Sequence, residues 1–233
     1  MREYLIEGIN KIGIKYTDKK IDDLINYLNL LVNYNSHTNL TAIRDEEGIL
    51  EKHFLDSLLV QEFIPSGAKK IIDIGTGAGF PGMVLAIFNP EIKFTLMDSI
   101  GKKTKFLELV KEELNLENVE VVTARAEEFI NEENRETYDI GLCRGVSKLN
   151  TILEYMIPFL KVDGIFLSQK MEGTGEEQEA QNALSILNSH IGQVHTLKLP
   201  YCGDQRLIVE VIKDKTTDKK YPRRTGMALK KPL

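Results

Sequence analysis

The sequence predicts an α/β protein: a mostly parallel, doubly wound sheet closed by an antiparallel hairpin, with a helical extension in front of it. Three observations carry this. Short apolar runs alternate with helical periodicity from about residue 67 to residue 213, the order that builds a parallel sheet through crossover helices. A dense glycine cluster, Gly75-Thr76-Gly77-Ala78-Gly79, separates the first of those runs from the helix that follows it. The last two runs, 193–199 and 207–213, alternate around Tyr201-Cys202-Gly203-Asp204-Gln205-Arg206 and read as the hairpin. The expected division is a helical extension over 1–66, the sheet domain over 67–214 and a basic tail over 215–233.

In chain order, Met1–Asn10 forms a short helix that Gly13 ends or kinks. Thr17 is a suitable N-cap for a helix from Asp18 to about Tyr34, with Ile21, Leu24, Ile25, Leu28 and Leu31/Val32 on one face. Asn35 to Asn39 reads as a polar loop. Asp45 caps a further helix to about Glu62, before Pro65-Ser66-Gly67 breaks the chain. At helical spacing His53 and Asp56 share a face with Ile49, Val60 and Phe63, while Glu51, Lys52 and Glu62 point away. Such a pair on an apolar face is a satisfied anchor to the next domain before it is a catalytic one.

Lys69–Ile74 is the first strand, Phe80-Pro81 opens the next helix, Asn89-Pro90 closes it, and Phe94–Met97 is the second strand. Ser99 is expected to cap a helix from Gly101 to Leu114 whose lysines 102, 103 and 105 face outward. Val119–Thr123, Tyr138–Cys143 and Gly164–Gln169 are strands three to five. Between them come a helical turn at 125–129 and a helix over Leu149–Leu160. Glu176–Ser189 is the last helix.

The glycine unit is a nucleotide-type cofactor site. Glycines on alternate positions turn the backbone tightly and let a ligand approach without meeting a Cβ. Gly77-Ala78-Gly79-Phe80-Pro81-Gly82 matches the dinucleotide pattern G-x-G-x-x-G, with Asp98 as the distal acid. The other register is Asp73-x-Gly75-x-Gly77-x-Gly79, the pattern of S-adenosylmethionine-dependent methyltransferases. Asp98 suits either cofactor, because both offer ribose hydroxyls. Asp73 favours S-adenosylmethionine, whose ammonium and sulfonium welcome a carboxylate that a pyrophosphate would avoid.

Composition sets the frame. The chain has 233 residues, 42% hydrophobic and 28% charged, ordinary for a globular protein. Two cysteines, Cys143 and Cys202, stand in no metal spacing and indicate a reducing compartment. The charged first residues hold no apolar core of a secretion signal, and no run would span a bilayer, so a cytoplasmic location is expected. Net charge is −5, yet from Lys215 onward there are seven basic residues and one acid. That tail is either a phosphate-contacting arm or a solvated, disordered terminus.

Several strings together resemble one family, the bacterial small-subunit rRNA guanine-N(7) methyltransferases, also called glucose-inhibited division protein B. They are Asn39-Leu40-Thr41-Ala42-Ile43-Arg44, His53-Phe54-Leu55-Asp56-Ser57-Leu58, the run Asp73 to Gly82, Leu96-Met97-Asp98-Ser99, Arg125-Ala126-Glu127-Glu128-Phe129 and Tyr221-Pro222-Arg223-Arg224-Thr225-Gly226. The resemblance implies a Rossmann-like class I methyltransferase fold and S-adenosylmethionine as cofactor, with a guanine in the 530 loop of 16S rRNA as acceptor. By the resemblance Gly75 and Phe80 would touch the cofactor from the loop, and the glycine-unit pattern itself adds Asp73 and Gly77 to the cofactor-binding residues. Asp98 would hold the ribose, Ala126 and Glu127 would frame the adenine, and Arg144 would stand at the mouth. Arg144, Lys170, Arg206, Arg223 and Arg224 are the candidate RNA contacts, Arg206 having a local ion pair with Asp204 as its alternative. The family usually follows strand five with Lys-Gly, whereas here Lys170 precedes Met171-Glu172-Gly173.

Guanine N(7) carries an in-plane lone pair and no proton, so proximity and orientation suffice and no catalytic acid or base is assigned. The fourth strand also lacks the Asn/Asp-Pro-Pro-aromatic signature of exocyclic-amine methyltransferases, and no Pro-Cys nucleophile appears. No metal set is visible, and a monomer is expected. Two other classes stay open: a nicotinamide-dependent oxidoreductase, and a non-enzymatic ribosome-assembly factor that kept the fold.

Overall fold

The computed structural model describes residues 1–171 and 175–233. Glu172 and Gly173, on which the departure after strand five turns, lie outside the described residues. The chain runs α1 (Arg2–Lys11), α2 (Asp18–Thr38), α3 (Glu46–Ile49), a π-turn (Leu50–Leu55), α4 (Asp56–Leu58), β1 (Lys70–Ile74), α5 (Gly82–Phe88) and β2 (Lys93–Asp98). It continues through α6 (Gly101–Glu113), β3 (Val119–Thr123), α7 (Ala126–Phe129), β4 (Tyr138–Arg144), α8 (Leu149–Met156) and β5 (Leu160–Met171). The remainder is α9 (Glu176–Glu179), α10 (Gln181–Ile186), β6 (Ser189–Lys198), β7 (Gln205–Lys213) and α11 (Met227–Lys230).

The strands form one sheet in the order β3-β2-β1-β4-β5-β7-β6. β1 through β5 pair in parallel, and β7 runs antiparallel to both β5 and β6. The order reverses between β1 and β4, the switch point where ligands bind outside the carboxyl ends of strands. Register brings Asp98 opposite Thr123 and Arg144 opposite Gln169, so the ends of β1 to β5 open on one crevice.

Strand alternation divides the core in two. Ile71, Phe94, Leu96, Ile140 and Leu142 face α1 to α6, and Ile72, Ile74, Met97 and Cys143 face α7 to α11. The N-terminal helices therefore share one apolar cluster with the sheet. In α2, Thr17 accepts a hydrogen bond from Lys20 N, and Ile21, Leu24, Tyr27, Leu28 and Leu31 are buried.

Four expectations are corrected. α2 continues to Thr38 rather than ending near Tyr34, because Asn35 closes its end. The Asn35 side chain accepts from Leu40 N at 2.6 Å and Thr41 N at 3.0 Å, and Asn39 adopts φ 52°. In the 46–58 segment the wider π-turn breaks the 100° phase. Glu51 is thereby turned inward, where it accepts from Tyr201 N (3.0 Å) and Cys202 N (2.6 Å) and ties the hairpin to the extension. Ser99 does not cap α6; Asp98 Oδ1 takes Ile100 N at 2.9 Å instead. The expected last helix is two short ones, and Ser189 already belongs to β6.

The tail is folded against the domain, which removes the disordered alternative. Tyr221 and Ala228 are buried, and Arg135 donates to Tyr221 O at 2.5 Å. Among the described residues no helix is long and apolar enough to cross a membrane.

Candidate active site

Three backbone turns build the floor of the crevice. Gly75, Gly77 and Gly79 have φ of 72°, 63° and 104°, the left-handed region where a side chain is strained. Space adds to this at Gly79, where a Cβ would lie 2.8 Å from Met83 Cβ. Tyr27 of α2 donates its hydroxyl to Ala78 O, so the extension itself holds the loop.

Asp98, at the end of β2, accepts from Gly77 N at 3.0 Å through Oδ2, and Lys103 Nζ approaches the same oxygen at 3.4 Å. Lys103 thus turns back toward the site rather than outward, and Lys102 donates to Thr38 O at 3.0 Å. A cavity of about 310 Å³ opens above, lined by Ile74, Gly75, Met97, Asp98, Ala126 and Glu127, with Tyr155 and Leu229 at its side. Apolar Ile74, Met97 and Ala126 make a slot for a flat ring, and Asp98 offers acceptors for a diol. These residues fit a nucleoside.

Asp73 is placed differently from expectation. Alternation along β1 points Ile74 into the cavity and Asp73 away from it, beneath the loop, where Oδ2 accepts from Gly82 N at 2.8 Å. Complete burial raises its pKa to about 6, against the pull of the Thr76 hydroxyl and the Gly82 N–H. It holds the start of α5 rather than facing a ligand. A raised folded-state pKa contributes stability below the unfolded value of 3.8, and that contribution is lost as pH rises through 6. Asp73→Asn is therefore expected to gain stability over the parent progressively from about pH 4 to pH 6.5, on the order of 3 kcal/mol in chemical denaturation, with no further gain above.

Phe80 also points inward. Its ring stacks on His53 (4.7 Å between centroids) and Tyr27 (5.6 Å), and Phe80 does not line the nucleoside cavity, so the expected cofactor contact is not seen there. Arg144 crosses from the end of β4 to the extension. Its guanidinium donates to Lys52 O (3.0 Å), Asp56 Oδ2 (2.9 Å) and His53 Nδ1 (3.1 Å), and lies 5.4 Å from the Phe80 ring. With Nδ1 accepting, His53 Nε2 carries the proton and donates to Thr41 Oγ1 at 2.7 Å. Burial and the neighbouring guanidinium lower the His53 pKa to about 3, so the imidazole is neutral. The expected anchoring of His53 and Asp56 to the sheet domain is seen here, through Arg144.

Arg206 reaches the other Asp56 oxygen at 3.2 Å, so its ion pair is with Asp56 and not with Asp204, the alternative the sequence left open beside an RNA contact. Lys170 pairs with Glu176 at 2.8 Å and donates to Ser147 O at 2.7 Å. These groups line a second cavity of about 520 Å³, with Lys52, His53, Asp56, Arg144, Lys170, Glu176 and Arg206 in its wall. Four cations against two carboxylates make it electropositive. Gly145, Val146 and Ser147 line both cavities and form the partition between them.

Arg223 is corrected as an RNA contact. Its guanidinium makes a bidentate pair with buried Glu154, Nη2 to Oε2 at 2.6 Å and Nε to Oε1 at 2.9 Å. Arg224 is exposed. Val146, Ser147, Tyr155, Lys103 and Leu229 escaped the sequence reading. Lys103 follows Asp98 closely, and Val146 and Ser147 follow Arg144 directly, so these three were within reach of residues singled out above; Tyr155 and Leu229 come from segments without a signal of their own.

Comparison with known proteins agrees with this geometry. The solved structure titled as a SAM-dependent methyltransferase from Aquifex aeolicus matches at 19% identity and TM-score 0.54, covering 71% of this chain and 93% of that one. The [4+2]-cyclase SpnF matches at 12% identity and TM-score 0.58, covering 84% and 96%, so the fold alone does not select a reaction. The ribosomal RNA small subunit methyltransferase G of Fusobacterium nucleatum is 59% identical over 233 residues, the full length of both chains. The model of the GidB family, described as rRNA small subunit methyltransferase G, matches residues 20–208. The chain belongs to that family.

Proposed function

We propose that this protein transfers a methyl group from S-adenosylmethionine to N(7) of a guanine in the 530 loop of 16S rRNA, acting in the cytoplasm as a monomer without a metal. The observation that carries the reading is the pair of cavities meeting at Gly145-Val146-Ser147, one suited to a nucleoside and the other electropositive. S-adenosylmethionine supplies a methyl on a sulfonium, a good leaving group for in-line displacement. Asp98 would accept from the ribose, Ile74, Met97 and Ala126 would enclose the base with Glu127 at its edge, and Gly75 and Gly77 would let the backbone approach.

N(7) lies on the major-groove edge, which A-form RNA buries, so the guanine enters from a loop or is extruded. Arg144, Lys170 and Arg206 offer donors for O6 and the flanking phosphates, and Arg224 with the tail lysines adds phosphate contacts outside the cavity. The attacking lone pair carries no proton, and His53 is neutral with both ring nitrogens engaged. The chain's part is orientation and exclusion of water.

Single-turnover methylation of small-subunit RNA is accordingly expected to be flat between about pH 6 and 9, with no histidine inflection. RNA with 7-deazaguanine at the target should accept no methyl. Transfer to that RNA, or a rate that climbs tenfold per pH unit, would overturn the assignment.

A further inference from the structure

Among the described residues the exposed large apolar side chains include Ile100 (43%), Val146 (41%) and Leu229 (57%), and these three rim the nucleoside cavity. Leaving them in water is unfavourable, and a flat ring seated between them would cover them. Leu229 is the unexpected member, since it belongs to the basic tail.

Its position is built, not incidental. Arg223 grips Glu154 through three hydrogen bonds of 2.6, 2.9 and 3.1 Å, and the Glu154 side chain is only 1% exposed. Arg223 N adds a fourth at 2.8 Å, and Arg223 Nη2 also donates to Lys231 O at 2.8 Å, folding α11 back on the clasp. Gly226 N donates to Glu127 Oε1 at 3.0 Å, and Thr225 to Glu128 at 3.1 Å. Ala228 is buried in the second core. Glu127 is thereby fixed between the tail and Tyr155 while still lining the cavity.

We infer that residues 221–229 form a wall of the cofactor cavity, the Arg223–Glu154 clasp and the Gly226–Glu127 bond setting Leu229 over the base of the bound nucleoside. Arg223 is then a positioning residue for the cofactor, and the tail divides its work: its buried face serves the cofactor and its outer cations the RNA. This rests on the reading of that cavity as the S-adenosylmethionine site.

The test is calorimetric titration of S-adenosylhomocysteine into the full chain, its Leu229→Ala variant and its Arg223→Ala variant, alongside the salt dependence of rRNA binding. Leu229→Ala, altering an exposed side chain, should leave the melting temperature unchanged and weaken the nucleoside by about five- to tenfold. Arg223→Ala should weaken it at least as much, with the salt slope of RNA binding unchanged. Unaltered nucleoside affinity in Leu229→Ala would overturn the inference while parent binding stands. A slope reduced by about one in Arg223→Ala with full nucleoside affinity would overturn it too, returning that residue to the phosphate contacts. Failure of the parent to bind would instead overturn the reading of the cavity.

Discussion

Arg144→Ala is expected to lower kcat on rRNA by at least about 10²-fold while moving cofactor affinity less than about threefold. The guanidinium lies in the wall of the electropositive cavity, and the nucleoside cavity is lined by Gly145 onward rather than by Arg144. Its removal leaves His53 Nδ1 and Lys52 O without their donor and Asp56 with Arg206 alone. It also frees the 145–147 partition from the extension, so the acceptor base and the cofactor lose a common frame. Arg144→Lys keeps the charge but not the planar fork that meets three acceptors, and should recover less than about a tenth of the loss. Stability should fall by about 1–2 kcal/mol, because the pair retains some solvent and Asp56 keeps one partner. Methylation rates and cofactor titration on the same preparations check this; equal losses in both would move Arg144 to the cofactor.

Asp98→Ala should produce the opposite split. The carboxylate accepts from Gly77 N and Ile100 N, so it both shapes the loop and supplies the ribose acceptor. Losing two charge-assisted hydrogen bonds is expected to weaken nucleoside binding by about 10²-fold or more. Asp98→Asn keeps one acceptor oxygen and should lose roughly tenfold. Affinity for rRNA without cofactor should not change. Titration with S-adenosylhomocysteine and an rRNA filter-binding measurement separate the two effects.

The parts of this structure that were legible in the sequence are those whose causes are local. β3 occupies the expected Val119–Thr123, and the unit β1–loop–α5–β2 follows from an apolar run, three glycines and a proline within thirty residues. The electropositive cavity was visible only in pieces. Arg144 and Asp56 were singled out separately, yet their pairing joins β4 to α4 across the fold and leaves no trace in spacing. Asp73 lies beneath the loop and outside the cavity wall, a placement set by which sheet face holds the cavity, which its neighbours in sequence do not reveal. The π-turn at Leu50–Leu55 defeated a 100° projection, and Glu51 consequently faced inward rather than out. The tail misled through composition: charge describes its outer face, whereas Tyr221, Arg223 and Ala228 hold it to partners such as Glu154 that lie far upstream.

The most direct test of the central claim is transfer of labelled methyl from S-adenosylmethionine to small ribosomal subunits, and to naked small-subunit rRNA, from cells lacking this protein, with the modified base mapped. Label on N(7) of a single guanine in the 530 loop is the predicted result. Absence of label from both substrates, by a preparation that binds S-adenosylhomocysteine, would contradict the account and direct the search to a different methyl acceptor.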